Sequence, residues 1–419
     1  MKGKNEMDVL KKFGSATTRK RGGAMKKVVA LIVVLGLVGF LVQRATVLMG
    51  QERAREKDYA YNIDRNLLYT FLAQGLEDSA LGLPYKSYPI DVHDFHATLV
   101  EYPFGSSPRA AEKNIFPRGI FLYVHGFSDY FFQKELAEKA DSAGYAFFAV
   151  DLHGYGRSIA GNLTRSDMSS VSEHYTELDY ALQMGMQLVN AAMKRASSQM
   201  TMKRSRKPVE IPSVTAEELP GILMGHSQGG LISSLYANDR PDINFKAVVL
   251  NSPFLEMNYG AFLRKVGMPV VALAGLYLPA FSLGSTGNPN YANSLYKDRY
   301  GEWDYNTDWK PFTRPVTHLR WVRAIYKGQS RIRAGIQIQA PVLVMHSACS
   351  IKSEEWVDEY THCDGVLNAD DIKELAPHLG TNVTTEEIEG GLHDLFLSKK
   401  DVRDVAYETA FKFIEASIR

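Results

Sequence analysis

Gly225-His226-Ser227-Gln228-Gly229 sets a serine between glycines two residues to either side. The apolar run Leu219 to Met224 leads into it, and Gly230 to Tyr236 leads away. The order is strand, sharp turn, helix, which is the pattern of a nucleophile elbow. Such a turn is strained and crowded, so a side chain at either glycine would clash with the neighbouring helix or strand. The serine hydroxyl is then held out at the carboxyl edge of a sheet. It becomes a useful nucleophile only when a base takes its proton, and that base must be oriented by an acid. The candidate base is His393, in Glu389-Gly390-Gly391-Leu392-His393-Asp394-Leu395, between the last predicted strand and the closing helix.

The acid is expected after the strand Pro341 to Met345, yet His346 to Ser350 holds no carboxylate. Glu354, Glu355, Asp358 and Glu359 follow in a stretch that reads as helix, and then Asp364 stands in a turn-like Asp-Gly context. Asp364 is the choice and Asp358 the alternative. An oxyanion hole needs two backbone N–H groups aimed at the developing charge. Gln228, directly after the nucleophile, supplies one. Phe127, in His125-Gly126-Phe127 at the end of the strand Gly119 to Val124, supplies the other, with Gly126 letting the loop turn tightly. Asp151 to Ser158, rich in glycine, reads as scaffold beside the site. None of this chemistry calls for a cofactor or a metal.

Strand-like and helical runs alternate from about residue 86, the signature of a parallel sheet covered by helices. Strands are predicted over 95–102, 119–124, 145–150, 219–224, 245–250, 341–345 and 383–388. Helices are predicted over 132–142, 171–196, 368–379 and 402–418. About ninety residues separate the strands at 245–250 and 341–345, far more than a crossover needs. That segment is dense in Tyr, Trp and Phe and reads as a lid inserted over the serine. The predicted organisation is a basic tail (1–27), a membrane anchor (28–49), a helical stalk (50–85), a first part of the core (86–254), the lid (255–338) and a second part of the core (339–419).

The chain has 419 residues, 45% hydrophobic and 23% charged, with a formal net charge of +1. That near-neutral balance gives no field for nucleic acid. The charge is uneven, however. Nine Lys and Arg residues crowd the first 27 positions against Glu6 and Asp8, and residues 28–42 carry no charge. The run is short for a span. No small-x-small cleavage site follows it, and Arg44 can snorkel, so a retained anchor is expected. The basic tail would stay cytoplasmic and the bulk of the chain would cross. On that far side the only cysteines, Cys349 and Cys363, are a disulfide candidate.

Together, His125-Gly126-Phe127, Asp151-Leu-His-Gly-Tyr-Gly-Arg-Ser158, Gly225-His-Ser-Gln-Gly-Gly230 and Gly390-Gly-Leu-His-Asp394 resemble the α/β-hydrolases. Within them they are similar to the monoacylglycerol lipase/lysophospholipase-like branch, which is grouped with serine aminopeptidases. The likeness covers roughly residues 90–419. It implies an α/β-hydrolase fold, with a mostly parallel central sheet, helices on both faces and an inserted lid. By the same resemblance Ser227, Asp364 and His393 would be the triad, with Phe127 and Gln228 as oxyanion donors. The departure is at Ala348-Cys349, where many relatives carry the acid soon after the strand. The expected function is a membrane-anchored serine hydrolase cleaving carboxylic esters of a monoacyl lipid or similar amphiphile. A serine aminopeptidase, with Glu302 and Asp304 holding an amino terminus, is one alternative. A non-catalytic membrane scaffold is the other.

Overall fold

The computed structural model describes residues 34, 36–56, 63–92, 94–108, 116–159, 165–203, 218–285 and 288–418. The chain divides into two units, residues 1–58 and 59–419. In the first, residues 36–56 form a helix. The basic tail and residues 28–33 and 35 of the predicted anchor lie outside the described residues. Among the described residues no helix is long and apolar enough to cross a membrane. The helix at 36–56 joins an apolar first half to Arg44, Glu52, Arg53, Arg55 and Glu56, which dilute its hydropathy.

The second unit is built on a nine-stranded sheet. Its strands are β1 (Leu76–Glu77), β2 (Lys86–Val92), β3 (Phe95–Tyr102), β4 (Gly119–Val124), β5 (Tyr145–Asp151), β6 (Gly221–His226), β7 (Phe245–Asn251), β8 (Val342–Ser347) and β9 (Val383–Ile388). The order is β1-β2-β3-β5-β4-β6-β7-β8-β9. The pairings β1–β2, β2–β3 and β3–β5 are antiparallel, and all those from β5 to β9 are parallel. Every residue of β4 and β5 is buried, as expected of parallel strands covered on both faces.

Alternate residues feed two cores. Leu122, Val124, Leu223, Val248 and Val344 face one side, where α3 (Tyr175–Lys203), α4 (Gln228–Asp239), α7 (Leu319–Ala334) and α8 (Ala369–Leu375) pack. Phe121, Tyr123, Met224, Val249 and Met345 face the other, against α2 (Lys134–Ser142) and α9 (Lys400–Ile418). The predicted strands and helices are present with ends shifted by a few residues; the exception is the long helix, which opens with a 3-10 turn over Val171–His174 and runs on to Lys203.

Two local readings are corrected. Residues 50–85 are not a stalk throughout, because α1 (Arg65–Ala73) buries Leu68 and Phe71 in the core. Asp64 caps that helix through Asn66 N–H, and its own N–H donates to the Tyr180 hydroxyl at 3.0 Å. Strand β2 was not anticipated, since Pro89 lies inside it. It is tolerated because β1 pairs only with Lys86 and Ser87, which leaves the outer edge at Pro89 open.

Between β7 and β8 lies the cap, with α5 (Met268–Tyr277), α6 (Asn290–Leu295) and α7. Helices α5 and α7 meet at Gly275, where a Cβ would come within 2.4 Å of the Leu319 carbonyl.

Candidate active site

Ser227 joins β6 to α4 with φ 52° and ψ −117°. A side-chain-bearing residue adopts such a left-handed value only when its surroundings enforce it. The surroundings here do. Ser227 N–H donates to Asn251 O at 3.0 Å, and Ser227 O accepts from Phe254 N–H at 2.9 Å, so the turn is tied across to the end of β7. A Cβ on Gly225 would lie 2.4 Å from Gly229 O, and one on Gly229 would lie 2.3 Å from His125 O. Those glycines are required by space.

His393 follows β9 on a loop fixed from two sides. Ser347 Oγ donates to Gly391 O at 2.6 Å, and Leu392 N–H donates to Ser398 Oγ at 2.9 Å. His393 Nε2 lies 2.9 Å from Ser227 Oγ, and Nδ1 lies 2.8 Å from Asp364 Oδ2. The carboxylate fixes the proton on Nδ1, which leaves Nε2 as the acceptor for the serine hydroxyl. All three groups are buried: Ser227 is 7% exposed, His393 3% and Asp364 0%. The second oxygen of Asp364 accepts from Val366 N–H and Leu367 N–H, each at 2.8 Å.

The late arrival of the candidate acid in the sequence has a structural reason. The chain leaves the end of β8, makes an excursion and returns. Cys349 and Cys363 are disulfide-bonded at its base. Asp364 N–H then donates to Cys349 O, and Ile351 N–H to Asp364 O, both at 2.9 Å. In space Asp364 therefore stands at the end of β8. Asp358 is exposed on a 3-10 turn of the excursion and is not brought to His393. Glu302 and Asp304 are exposed on the cap and paired with Arg403 and Lys297.

The loop 125–131 is set by its neighbours. Leu152 N–H donates to His125 Nε2 at 3.1 Å, so the ring proton is on Nδ1, 2.8 Å from Gly126 O. A planar trans peptide points its N–H opposite its carbonyl. With Gly126 O held by the ring, Phe127 N–H faces the other way. Gly126 abuts the elbow, since a Cβ there would lie 3.1 Å from Ser227 Cβ. Farther along, Phe131 N–H donates to Asp151 Oδ1 at 2.9 Å, and Arg157 bridges Phe131 O, Asp151 and Asp78. The 151–158 loop is scaffold in this sense. Gln228 opens α4, so its N–H is one of those a helix leaves unbonded. Its side chain is locked between the Tyr155 hydroxyl (2.8 Å) and Trp321 Nε1 of the cap (3.0 Å). Trp321 also lies 4.9 Å from the Phe127 ring.

A buried polar group behind the histidine was not anticipated. Asp394 accepts from Asn251 Nδ2 at 2.7 Å and Gln133 Nε2 at 3.1 Å, and its N–H donates to the Tyr291 hydroxyl at 3.1 Å. The Tyr291 ring stands edge-on to His393 at 5.4 Å. His226 packs on His393 at 4.9 Å, and burial pushes its pKa down. Asp129 is met by Lys310 of the cap at 2.8 Å. Burial alone would raise Asp129, but the Lys310 charge and nearby histidines more than reverse this. Asp394 sits within the motif that carries the candidate base, and Asp129 lies two residues beyond Phe127, whereas nothing local marks Lys310.

Among the described residues two buried groups bring ligand-type atoms within 4.8 Å of one another: Asp129, His226 and Asp394, and His153, His174 and Glu177. In both, each carboxylate already has at least one oxygen met by an N–H donor. That donor set fits a hydrogen-bonded network rather than a cation.

Residues 210–400 match the family described as serine aminopeptidase, S33. The curated monoacylglycerol lipase of Mycolicibacterium smegmatis is 24% identical over 237 residues, which are 55% of this chain and 69% of that protein. The crystal structure of a soluble variant of monoglyceride lipase from Saccharomyces cerevisiae, in complex with a substrate analog, aligns with a TM-score of 0.51. That alignment has 14% identity and covers 81% of this chain and 96% of that one. The chain has the α/β-hydrolase fold. In sequence it is similar to the serine aminopeptidase, S33 family and to a monoacylglycerol lipase.

Proposed function

We propose that the chain hydrolyses carboxylic esters of a monoacyl lipid or similar amphiphile through an acyl-serine intermediate. The observation that carries this is the unbroken line Asp364–His393–Ser227, at 2.8 and 2.9 Å in a buried site. Ser227 Oγ attacks the ester carbonyl as its proton passes to His393 Nε2. Asp364 holds the imidazolium that forms. The carbonyl oxygen gains charge, met by Phe127 N–H and Gln228 N–H. Collapse expels the alcohol, which takes the proton from His393 and leaves the acyl group on Ser227. Water, deprotonated by His393, then attacks the acyl carbon, and the fatty acid leaves as the serine regains its proton.

The lipid-like substrate is supported by the cap. Phe262, Leu263, Val266, Val270, Leu273 and Phe281 are all exposed along it. Contiguous apolar surface of this kind marks a contact with something apolar. The peptide reading is weaker, because Glu302 and Asp304 are engaged elsewhere. The test is a panel of monoacylglycerols, short p-nitrophenyl esters and aminoacyl amides. Monoacylglycerols are expected to give the highest kcat/KM. Faster turnover of the amides would overturn the ester reading.

We also infer that residues 28–49 tether the chain, with the catalytic unit outside the cytoplasm. The support is the uncharged run behind a basic tail, exposed apolar residues at Leu37, Phe40 and Val42, and a disulfide that suits an oxidising compartment. Full chain found in the supernatant after alkaline carbonate extraction of membranes would refute this.

A further inference from the structure

The cap reaches one fully buried acid of the core with one long side chain. Lys310 Nζ donates to Asp129 Oδ1 at 2.8 Å, with Lys310 7% exposed and Asp129 1%. Asp129 stands two residues beyond Phe127 on the loop after β4. Between them Ser128 has φ 52°, so the loop is held in a backbone shape that a serine takes at a cost. The same cap turn grips this loop twice more. Asn306 N–H donates to the Tyr130 hydroxyl at 2.8 Å, and Trp309 meets the Tyr130 ring edge-on at 5.1 Å. On the core side Asp129 faces His226 and Asp394. The carboxylate of Asp394 is already taken by Asn251 and Gln133, and Asp129 Oδ2 has no hydrogen-bond partner among the described residues. The counter-charge that touches this carboxylate thus comes from the cap.

We propose that Lys310 is a positioning residue for the hydrolysis: through Asp129 it holds the Phe127–Ser128–Asp129 turn, so that the oxyanion site is in register only when the cap is seated. This rests on the reading that Phe127 N–H is an oxyanion donor. A buried carboxylate without a counter-charge is costly, so lifting the cap favours a rearranged loop, and Phe127 moves with it. Covering the substrate and completing the oxyanion site become one event.

The test uses the full chain, with sites counted by fluorophosphonate titration. Lys310→Met should lower kcat per titrated site for p-nitrophenyl butyrate about tenfold while KM stays within about twofold. A trifluoromethyl ketone, which forms a tetrahedral adduct, should bind more weakly by the same factor, and Lys310→Arg should keep most of the activity. Unchanged kcat per site in Lys310→Met overturns the proposal, whatever happens to Tm. If Lys310→Met does not fold, Asp129→Asn is read in the same way. If neither folds, the pair serves the fold and the proposal falls. A wild type that takes no fluorophosphonate label overturns the serine-hydrolase reading and this proposal with it. A labelled wild type whose kcat per titrated site Lys310→Met matches overturns this proposal alone.

Discussion

His393 meets Ser227 through Nε2 and Asp364 through Nδ1, and the ring can do its work only while Nδ1 carries the proton. Asp364→Asn presents an amide in place of the carboxylate and permits the wrong tautomer. It should lower kcat by about 10⁴-fold with little change in KM, measured by steady-state turnover of a p-nitrophenyl ester. A loss below about tenfold would remove Asp364 from the acid's role. Ser227 and His393 were legible because each sits in a short string whose glycines announce a turn. Asp364 was legible only as a candidate acid in an Asp-Gly turn before apolar residues. Lys310 was not legible at all: its partner lies 181 positions away in the chain, and no local pattern records such a contact.

The excursion between β8 and Asp364 is the element where the sequence departed most from its resemblance. It is closed by Cys349–Cys363 and docked on the cap, where Trp356 stacks on Tyr300 at 3.7 Å and Asn288 Nδ2 donates to the Tyr360 hydroxyl at 3.1 Å. Closing a loop of this length is worth on the order of 3 kcal/mol in the chain-entropy model. Its more direct effect is to place Asp364 beside Cys349 O. Cys363→Ser, or reductant, is therefore expected to lower kcat proportionally more than it lowers the folded fraction, followed by parallel activity and thermal-melt measurements. Full activity in protein shown to carry two free thiols would contradict this. Among the strands, the buried runs β4 to β8 were readable from apolar continuity. Strand β2 was not, because Pro89, Lys86 and Asp91 obscure its alternation and only pairing with β3 establishes it.

At the scale of the whole molecule, stability should carry a pH signature from a buried pair that the chemistry does not use. His153, on the loop after β5, bonds Glu177 of α3, and its N–H donates to the same carboxylate at 3.1 Å. Burial would lower the His153 pKa, but Glu177 more than reverses this and raises it above 6.5. Burial would raise Glu177, but His153 and then His174 hold it well below 4.5. A raised histidine stabilises fully below its unfolded pKa, and the gain is lost as pH climbs through the folded value. A lowered carboxylate stabilises above its unfolded pKa, and the gain is lost as pH falls through the folded value. The pair therefore contributes most between about pH 4.5 and 6.5. The Tm difference between wild type and Glu177→Gln should peak in that window and shrink on both sides. A difference constant from pH 4 to 9 would contradict it. The two-core sheet was foreseeable from alternating strands and helices. The link between cap and core was not, since it depends on where ninety inserted residues fold back.

The account turns on Ser227 as the atom that is acylated. Rapid acid quench of the enzyme with p-nitrophenyl butyrate, followed by peptide mass analysis, reads this directly. The predicted result is a butyryl adduct on the peptide carrying Ser227, formed with a stoichiometric burst of nitrophenol and absent in Ser227→Ala. Turnover that persists in Ser227→Ala, with no adduct on the wild type, would contradict it.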